Sequence, residues 1–233
     1  MLKVKYQPVF VINLEVVEDI ITIDGPTSSG KNSVGFLLAQ KLGSKYIDTG
    51  MIYRAGAFKI LQTGVSLDDK EKILDIYKNL DVRFEMDEGW KMFLDGKDVT
   101  DSLHDPQISE VTSRISAIPE VREIMKAFQR KLANGGIVMG GRDIGSEIFP
   151  EAKHKFFLTA SVEIRAKRRF EQLHKKDPAV KYEDVLASMV ERDRRDSKRE
   201  ASPMRVPKDA VLIDNSNLTV EETVEEMLKH IHA

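Results

Sequence analysis

The run Gly25-Pro26-Thr27-Ser28-Ser29-Gly30-Lys31 constrains this chain more than any other part of it. It follows a short apolar stretch, residues 20–23 (IITI). It opens a segment, residues 31–42, in which Val34, Leu37, Leu38 and Leu42 recur at helical spacing. Strand, glycine loop and helix in that order fit the G-x-x-x-x-G-K pattern of a phosphate-binding loop. Glycines let the backbone curl until successive N–H groups point inward at anionic oxygens. The helix beginning at Lys31 adds the positive end of its dipole. The Lys31 ammonium reaches the terminal phosphates and offsets charge while a phosphoryl group moves. A plain Gly/Ser turn before a helix is the competing reading, and the flanking strand and helix favour the nucleotide. Gly25, Pro26, Thr27, Ser28, Ser29, Gly30, Lys31, Asn32 and Ser33 are therefore the candidate triphosphate site. One position departs from the pattern: a Ser or Thr should follow the lysine to place a hydroxyl on magnesium, but Asn32 stands there, with Ser33 next.

Beyond the loop, residues 49–61 and 69–80 read as helices. Then the period changes. Val82, Phe84 and Met86 alternate, Asp87-Glu88-Gly89 signals a turn, and residues 90–94 resume, which reads as a hairpin. Asp95-Gly96 offers a second turn leading to Val99. Residues 81–103 thus form a small antiparallel insert in an otherwise alternating chain. Pro106 and Pro119 sit where helices begin. Residues 136–140 (GIVMG) and 155–159 (KFFLT) have the continuous apolar character of buried parallel strands, each with a helix candidate after it. Residues 210–214 (AVLID) are a last strand before an amphipathic helix over 219–232. This alternation predicts an α/β fold of the P-loop NTPase kind, a mainly parallel sheet with helices on both faces.

Composition removes several function classes. With 36 Lys+Arg against 38 Asp+Glu the net charge is −2, which gives no polyanion-binding surface. Basic residues do concentrate between Arg165 and Arg205, but with few aromatics to stack on bases, so no nucleic-acid partner is expected. The absence of cysteine excludes disulfides, thiolate metal sites and a cysteine nucleophile. His104, His154, His174, His230 and His232 form no metal-ligand spacing, so no protein-held metal is expected. The apolar stretch 9–23 is interrupted by Asn13, Glu15, Glu18 and Asp19, well short of the ~18–20 apolar residues of a membrane span. A cytoplasmic protein without a membrane partner is the expectation. Residues 1–18 read either as an extra strand or as a poorly ordered leader.

No N/T-K-x-D guanine motif and no L-S-G-G-Q transporter motif is present. What is present, in order, is Asp48-Thr49-Gly50 with Tyr53-Arg54, then Ile118-Pro119-Glu120-Val121-Arg122-Glu123. Gly141-Arg142-Asp143-Ile144-Gly145, Glu191-Arg192-Asp193, and Asp196-Ser197 with Arg199 follow. From about residue 20 to the C-terminus the chain resembles the bacterial cytidylate kinases, a nucleoside monophosphate kinase family. It departs from that family at Asn32, at Met51 (usually alanine) and at Gly141 (often acidic or small). The resemblance implies a core over 19–80 and 104–233, a short lid at about 173–182, and a monophosphate-binding role for the insert. It implies transfer of a phosphoryl group from ATP to CMP or dCMP by a monomer, with magnesium held mainly by nucleotide phosphates and water.

The resemblance also implies roles. Lys31, Arg142 and Arg199 are catalytic; Thr49, Tyr53, Arg54, Ser113, Arg122, Arg142, Asp143, Arg192, Asp196 and Arg199 bind CMP. Arginine forks suit a dianionic phosphate. A carboxylate at Asp143 and an arginine at Arg122, with the Ser113 hydroxyl, would tell cytosine from uracil, whose edge reverses donor and acceptor. Arg192 and Asp196 would contact the ribose; positions 192, 195, 196 and 199 share one face of a helix. Lid arginines would come from Arg165, Arg168 and Arg169. Residue by residue, plainer readings stand beside these: a solvated charged helix at 191–199, surface arginines at 54 and 122, a helix cap at Asp143. Rival functions are a kinase for UMP or a non-nucleotide acid, a non-catalytic nucleotide-binding regulator, and a nucleic-acid module.

Overall fold

The computed structural model describes residues 19–85, 90–133 and 135–231. The leader 1–18, the turn Asp87-Glu88-Gly89 and His232 lie outside the described residues. Five strands, β1 (Ile20–Asp24), β2 (Lys45–Asp48), β6 (Ile137–Gly140), β7 (His154–Thr159) and β8 (Val211–Asp214), form one sheet in the order β2-β6-β1-β7-β8. All its pairings are parallel. Every residue of β6 is buried, as a strand covered on both faces requires. A second, antiparallel sheet joins β3 (Val82–Glu85), β4 (Lys91–Leu94) and β5 (Lys97–Asp98). Its register sets Val82 against Leu94 and Glu85 against Lys91, the pairing a hairpin over this segment demands.

The helices start and stop where local chemistry tells them to. α1 (Lys31–Lys41) begins straight from the phosphate loop, and α2 (Thr49–Thr63) is capped by the Asp48 carboxylate, which accepts from the Gly50 amide. α3 (Lys70–Lys78) is capped by Asp69, and α4 (Pro106–Ile115) and α5 (Pro119–Leu132) carry proline in their first turns. α6 (Val162–His174), α7 (Tyr182–Lys198) and α8 (Val220–Ile231) complete the fold.

Two apolar clusters lie on the faces of the main sheet. One joins Ile21, Ile23, Leu38 and Phe156 to Val224 and Met227 of α8. The other joins Ile137 and Met139 to α2, α3 and α5, and takes in Val82, Met92 and Leu94 of the small sheet. The insert therefore shares its core with the helices beside the site rather than forming a separate one.

Two features differ from the sequence reading. β2 was not expected: Lys45–Asp48 holds only two apolar residues, Tyr46 and Ile47, and runs directly into α2, so it shows no continuous apolar run. The helix expected after β6 is a single π-helical turn, Ile144–Ile148. Its first amides are captured by a side chain from β1 instead of opening a long helix.

A candidate kinase site

β1 delivers the phosphate loop at the carboxyl edge of the sheet. Gly25 has φ +146, and a Cβ there would sit 2.0 Å from the Leu158 carbonyl oxygen, so no other residue fits. Ser28 (φ 57) and Gly30 (φ 92) adopt left-handed conformations that turn the loop into α1. The Lys31 ammonium is buried and donates to Gly25 O (2.8 Å), Pro26 O (2.6 Å) and Ser29 Oγ (3.3 Å). Burial, then repulsion from Arg142, pushes its pKa well below the ordinary lysine range. A cation held on neutral carbonyls is poised for a charged acceptor, and phosphate oxygens are stronger partners than the loop's own.

The wall beside the loop is braced by side chains. Asn215 Nδ2 donates to Ser29 O (2.9 Å), and Arg168 clamps Asn215 through its side-chain and backbone oxygens at 3.1 and 2.8 Å. Arg165 is 6% exposed and donates to Thr27 O (3.2 Å) and Asp193 (2.6 Å), tying the loop to α7. Of the three lid candidates, Arg168 and Arg169 line the cavity described below; Arg165 stands behind its wall.

Asn32, where a hydroxyl was expected, donates from Nδ2 to Asp48 Oδ2 (2.5 Å) and accepts from Tyr46 OH (3.3 Å). The other Asp48 oxygen caps α2. Asn32, Ser33 and Asp48 all border the same cavity, so the chain offers a hydroxyl and a carboxylate of the hard oxygen type magnesium prefers. These residues fit a magnesium ion bound chiefly by phosphates and water. Among the described residues no group of three or more His, Cys, Asp or Glu could hold a metal by itself.

Arg142 belongs to a chain of alternating charges. Arg122 is paired with Asp143 in a close, buried contact, and Arg199 Nη2 lies 3.4 Å from the other Asp143 oxygen. Arg199 also approaches Asp196 (3.9 Å), whose second oxygen accepts from Arg142 Nε (3.1 Å). Burial opposes ionisation of Asp196, but Arg142, Arg192 and Arg199 outweigh it and hold the carboxyl below its usual range. Arg54 donates to Leu103 O (2.8 Å) and Ser109 Oγ (2.7 Å) and has no carboxylate ion-pair partner among the described residues. Burial, then the neighbouring Arg192, pushes Arg54 down to about 9. Burial, then Arg142, pushes Arg192 down to about 10. Buried cations that depress one another form a setting that a bound anion would relieve.

Tyr53 lies under Arg122, its ring centroid 5.8 Å from the guanidinium carbon. Burial raises its hydroxyl to about 12, so it stays neutral. Thr49 Oγ1 donates to Gly140 O (2.8 Å). Ser113 Oγ and Arg122 Nε are buried with no hydrogen-bond partner. Such atoms cost free energy unless a ligand or water satisfies them.

A cavity of about 980 Å³ brings Lys31, Asn32, Ser33 and Asp48 together with Arg54, Arg142, Arg169 and Arg192. Arg122, Asp143, Arg199, Asp196, Ser113 and Tyr53 do not line it; they stand behind Arg142, joined to it by the charge chain above. The sequence reading assigned no role to Asp24, Asp48 or Asn215. Asp48 stood in a quoted motif and Asp24 directly before the loop, which are the signals that could have marked them.

A parallel sheet of this order, with a lysine-bearing anion loop and a set of guanidinium groups lining one cavity, defines the class: this is a P-loop kinase of a small phosphorylated acceptor. The comparisons take the assignment further. The profile of the family described as cytidylate kinase matches residues 21–233. A cytidylate kinase of Caldanaerobacter subterraneus subsp. tengcongensis is 48% identical over 94% of this chain and 96% of that protein. One from Vibrio cholerae is 41% identical, covering 92% and 96% respectively. The solved structure of an uncharacterized protein from Eubacterium ventriosum overlays with a TM-score of 0.51 at 16% identity, over 92% of this chain and 99% of that one, a likeness of fold alone. The chain belongs to the cytidylate kinase family.

Proposed function

We propose that this protein transfers the γ-phosphoryl group of MgATP to CMP and dCMP, giving ADP and CDP or dCDP. The observation that carries the reading is the cavity that Lys31 lines together with Arg54, Arg142 and Arg192. A phosphate oxygen of the acceptor is already a nucleophile. The protein's work is to hold donor and acceptor in line and to neutralise their repulsion. Lys31 and the loop amides bind the donor phosphates. Arg54, Arg142 and Arg199 bind the acceptor phosphate, and Arg142 and Arg199 offset the charge that spreads over the transferring group. Ser33 and Asp48 would help to hold a magnesium ion bound mainly by nucleotide phosphates and water, which would supply further charge neutralisation.

Arg122, Asp143 and Ser113 read the cytosine edge. The unpartnered Ser113 Oγ and Arg122 Nε support this; both stand behind Arg142, outside the cavity, so that wall must shift before a base edge can satisfy them. Arg192 and Asp196 take the ribose, and Thr49 and Tyr53 line the acceptor side. Trp90 and Thr100 from the insert, Leu173 at the end of α6, and Val180 and Lys181 between α6 and α7 border the cavity. That supports reading residues 81–103 and 173–182 as an acceptor-side flap and a lid that exclude water on closing. No described helix is long and apolar enough to cross a membrane; a monomer is what the resemblance implies, and the cytoplasm is the expectation from the sequence. A coupled assay with CMP, dCMP, UMP and AMP tests the reading. CMP and dCMP are expected to lead UMP by at least about tenfold in kcat/KM. Equal rates for CMP and UMP would overturn the base assignment.

A further inference from the structure

We infer that Asp24 is a positioning residue that fixes the acceptor cradle to the donor cradle. The inference rests on the kinase reading above and concerns a side chain to which that reading gives no part.

The argument begins with connectivity. Asp24 is the last residue of β1 and is bonded directly to Gly25, the first residue of the phosphate loop. Its side chain is fully buried and reaches across to the segment that follows β6. Oδ1 accepts from the Ile144 amide (2.8 Å) and Oδ2 from the Gly145 amide (2.7 Å). One residue earlier, the Ile23 carbonyl accepts from the Gly141 amide (3.0 Å). Arg142 and Asp143, the two side chains on which the acceptor side is built, are thus pinned from both flanks by consecutive residues of the strand that ends in the loop. The fit leaves no slack. A Cβ on Gly145 would fall 2.8 Å from Thr22 Oγ1 and 3.3 Å from Asp24 Oδ2. In-line transfer needs the two cradles held to a fraction of an ångström, and a carboxylate accepting two backbone amides is a stiff link for that purpose.

The carboxylate satisfies two buried amides, yet its ionised form is held there at a cost. Burial, against the help of its two amides, raises its pKa to about 6. The charged groups that act on it are Asp143, which raises it further, and Lys31, which lowers it. The neighbouring strands present Phe157 beside it and Gly140 beside Ile23, both uncharged. The Lys155 stem near Gly145 ends in contacts with Pro150 and Asp209. Because the folded pKa is raised above the unfolded one, Asp24 gives up stability as pH rises through that value. Near neutrality the ionised form is kept at a thermodynamic cost.

The test is Asp24→Asn, which keeps the shape, loses the charge and can accept only one of the two amides. Binding of CMP and of a non-hydrolysable ATP analogue is measured by calorimetry, and kcat and KM for CMP by coupled assay. The expected result is at least about a tenfold weakening for CMP and a tenfold fall in kcat, with analogue binding changed less than about threefold. The Gly145 amide resonance in the unliganded parent should titrate near pH 6 and lose that titration in the variant. Gly145→Ala presses on the same bond while keeping the carboxylate, so it covers the case in which Asp24→Asn fails to fold, and should show the same CMP-selective loss. The inference is overturned if the folded variants keep CMP binding within about twofold of the parent. Equal losses for CMP and the ATP analogue would also overturn it, since the residue would then support the fold in general. If the parent prefers another acceptor, the acceptor reading fails, and the same measurements with that acceptor still decide the role of Asp24.

Discussion

Replacing Asp143 by alanine is expected to damage the protein twice, and the two effects can be measured apart. The carboxylate lies between Arg122 and Arg199, with the side chains 8%, 5% and 6% exposed respectively. Removing it strands two guanidinium groups in the interior, one of which already has an unpartnered Nε. Taking away one member of a buried ion pair costs about 3–5 kcal/mol, because the remaining charge is desolvated without compensation. For a chain of this length each kcal/mol corresponds to roughly 2–4 °C, so the melting temperature should fall by roughly 6–20 °C. Melting is followed by circular dichroism without nucleotide. The CMP to UMP ratio of kcat/KM is then measured well below the variant's transition, where the folded fraction is not limiting. The ratio should fall toward unity as the acceptor for the cytosine amino group disappears. A melting temperature within about 2 °C of the parent's would refute the claim that Arg122, Asp143 and Arg199 form one buried charge unit.

Asn32→Ser frees Asp48 from its 2.5 Å contact and restores a hydroxyl next to Lys31. The free magnesium needed for half-maximal rate should drop by about threefold or more, and an unchanged dependence would show that residue 32 does not act on the metal. Gly56→Ala drives a methyl group to 2.3 Å from the ring of Tyr77, whose hydroxyl donates to Tyr53 O. Overpacking of this kind costs about 1–3 kcal/mol, a drop of roughly 2–12 °C in thermal melting, and no drop would mean that Tyr77 moves aside freely.

Much of this protein is legible one residue at a time because its constraints are local. The phosphate loop is a covalent run whose glycines and lysine need no distant partner to be recognised, and two later helices carry their start signals in the chain, at Pro106 and Pro119. The strands β1, β6, β7 and β8 announce themselves as apolar runs because a parallel sheet buries both faces. What escaped are features whose cause lies far along the chain. β2 is four residues long, and its Tyr46 packs against Gly35 of α1 and Gly140 of β6. The single π-helical turn after β6 exists because Asp24, more than a hundred positions away, takes the first amides.

The same division runs through the site. Sequence alone supplied the residue types of both cradles, since a lysine in a glycine loop and arginines in family motifs can be read without coordinates. Whether Arg54, Arg142 and Arg192 would share a cavity with Lys31 while Arg165 and Arg199 stand behind its walls was settled by packing. Burial and through-space charge are sums over neighbours from every element, and no stretch of chain carries that sum by itself.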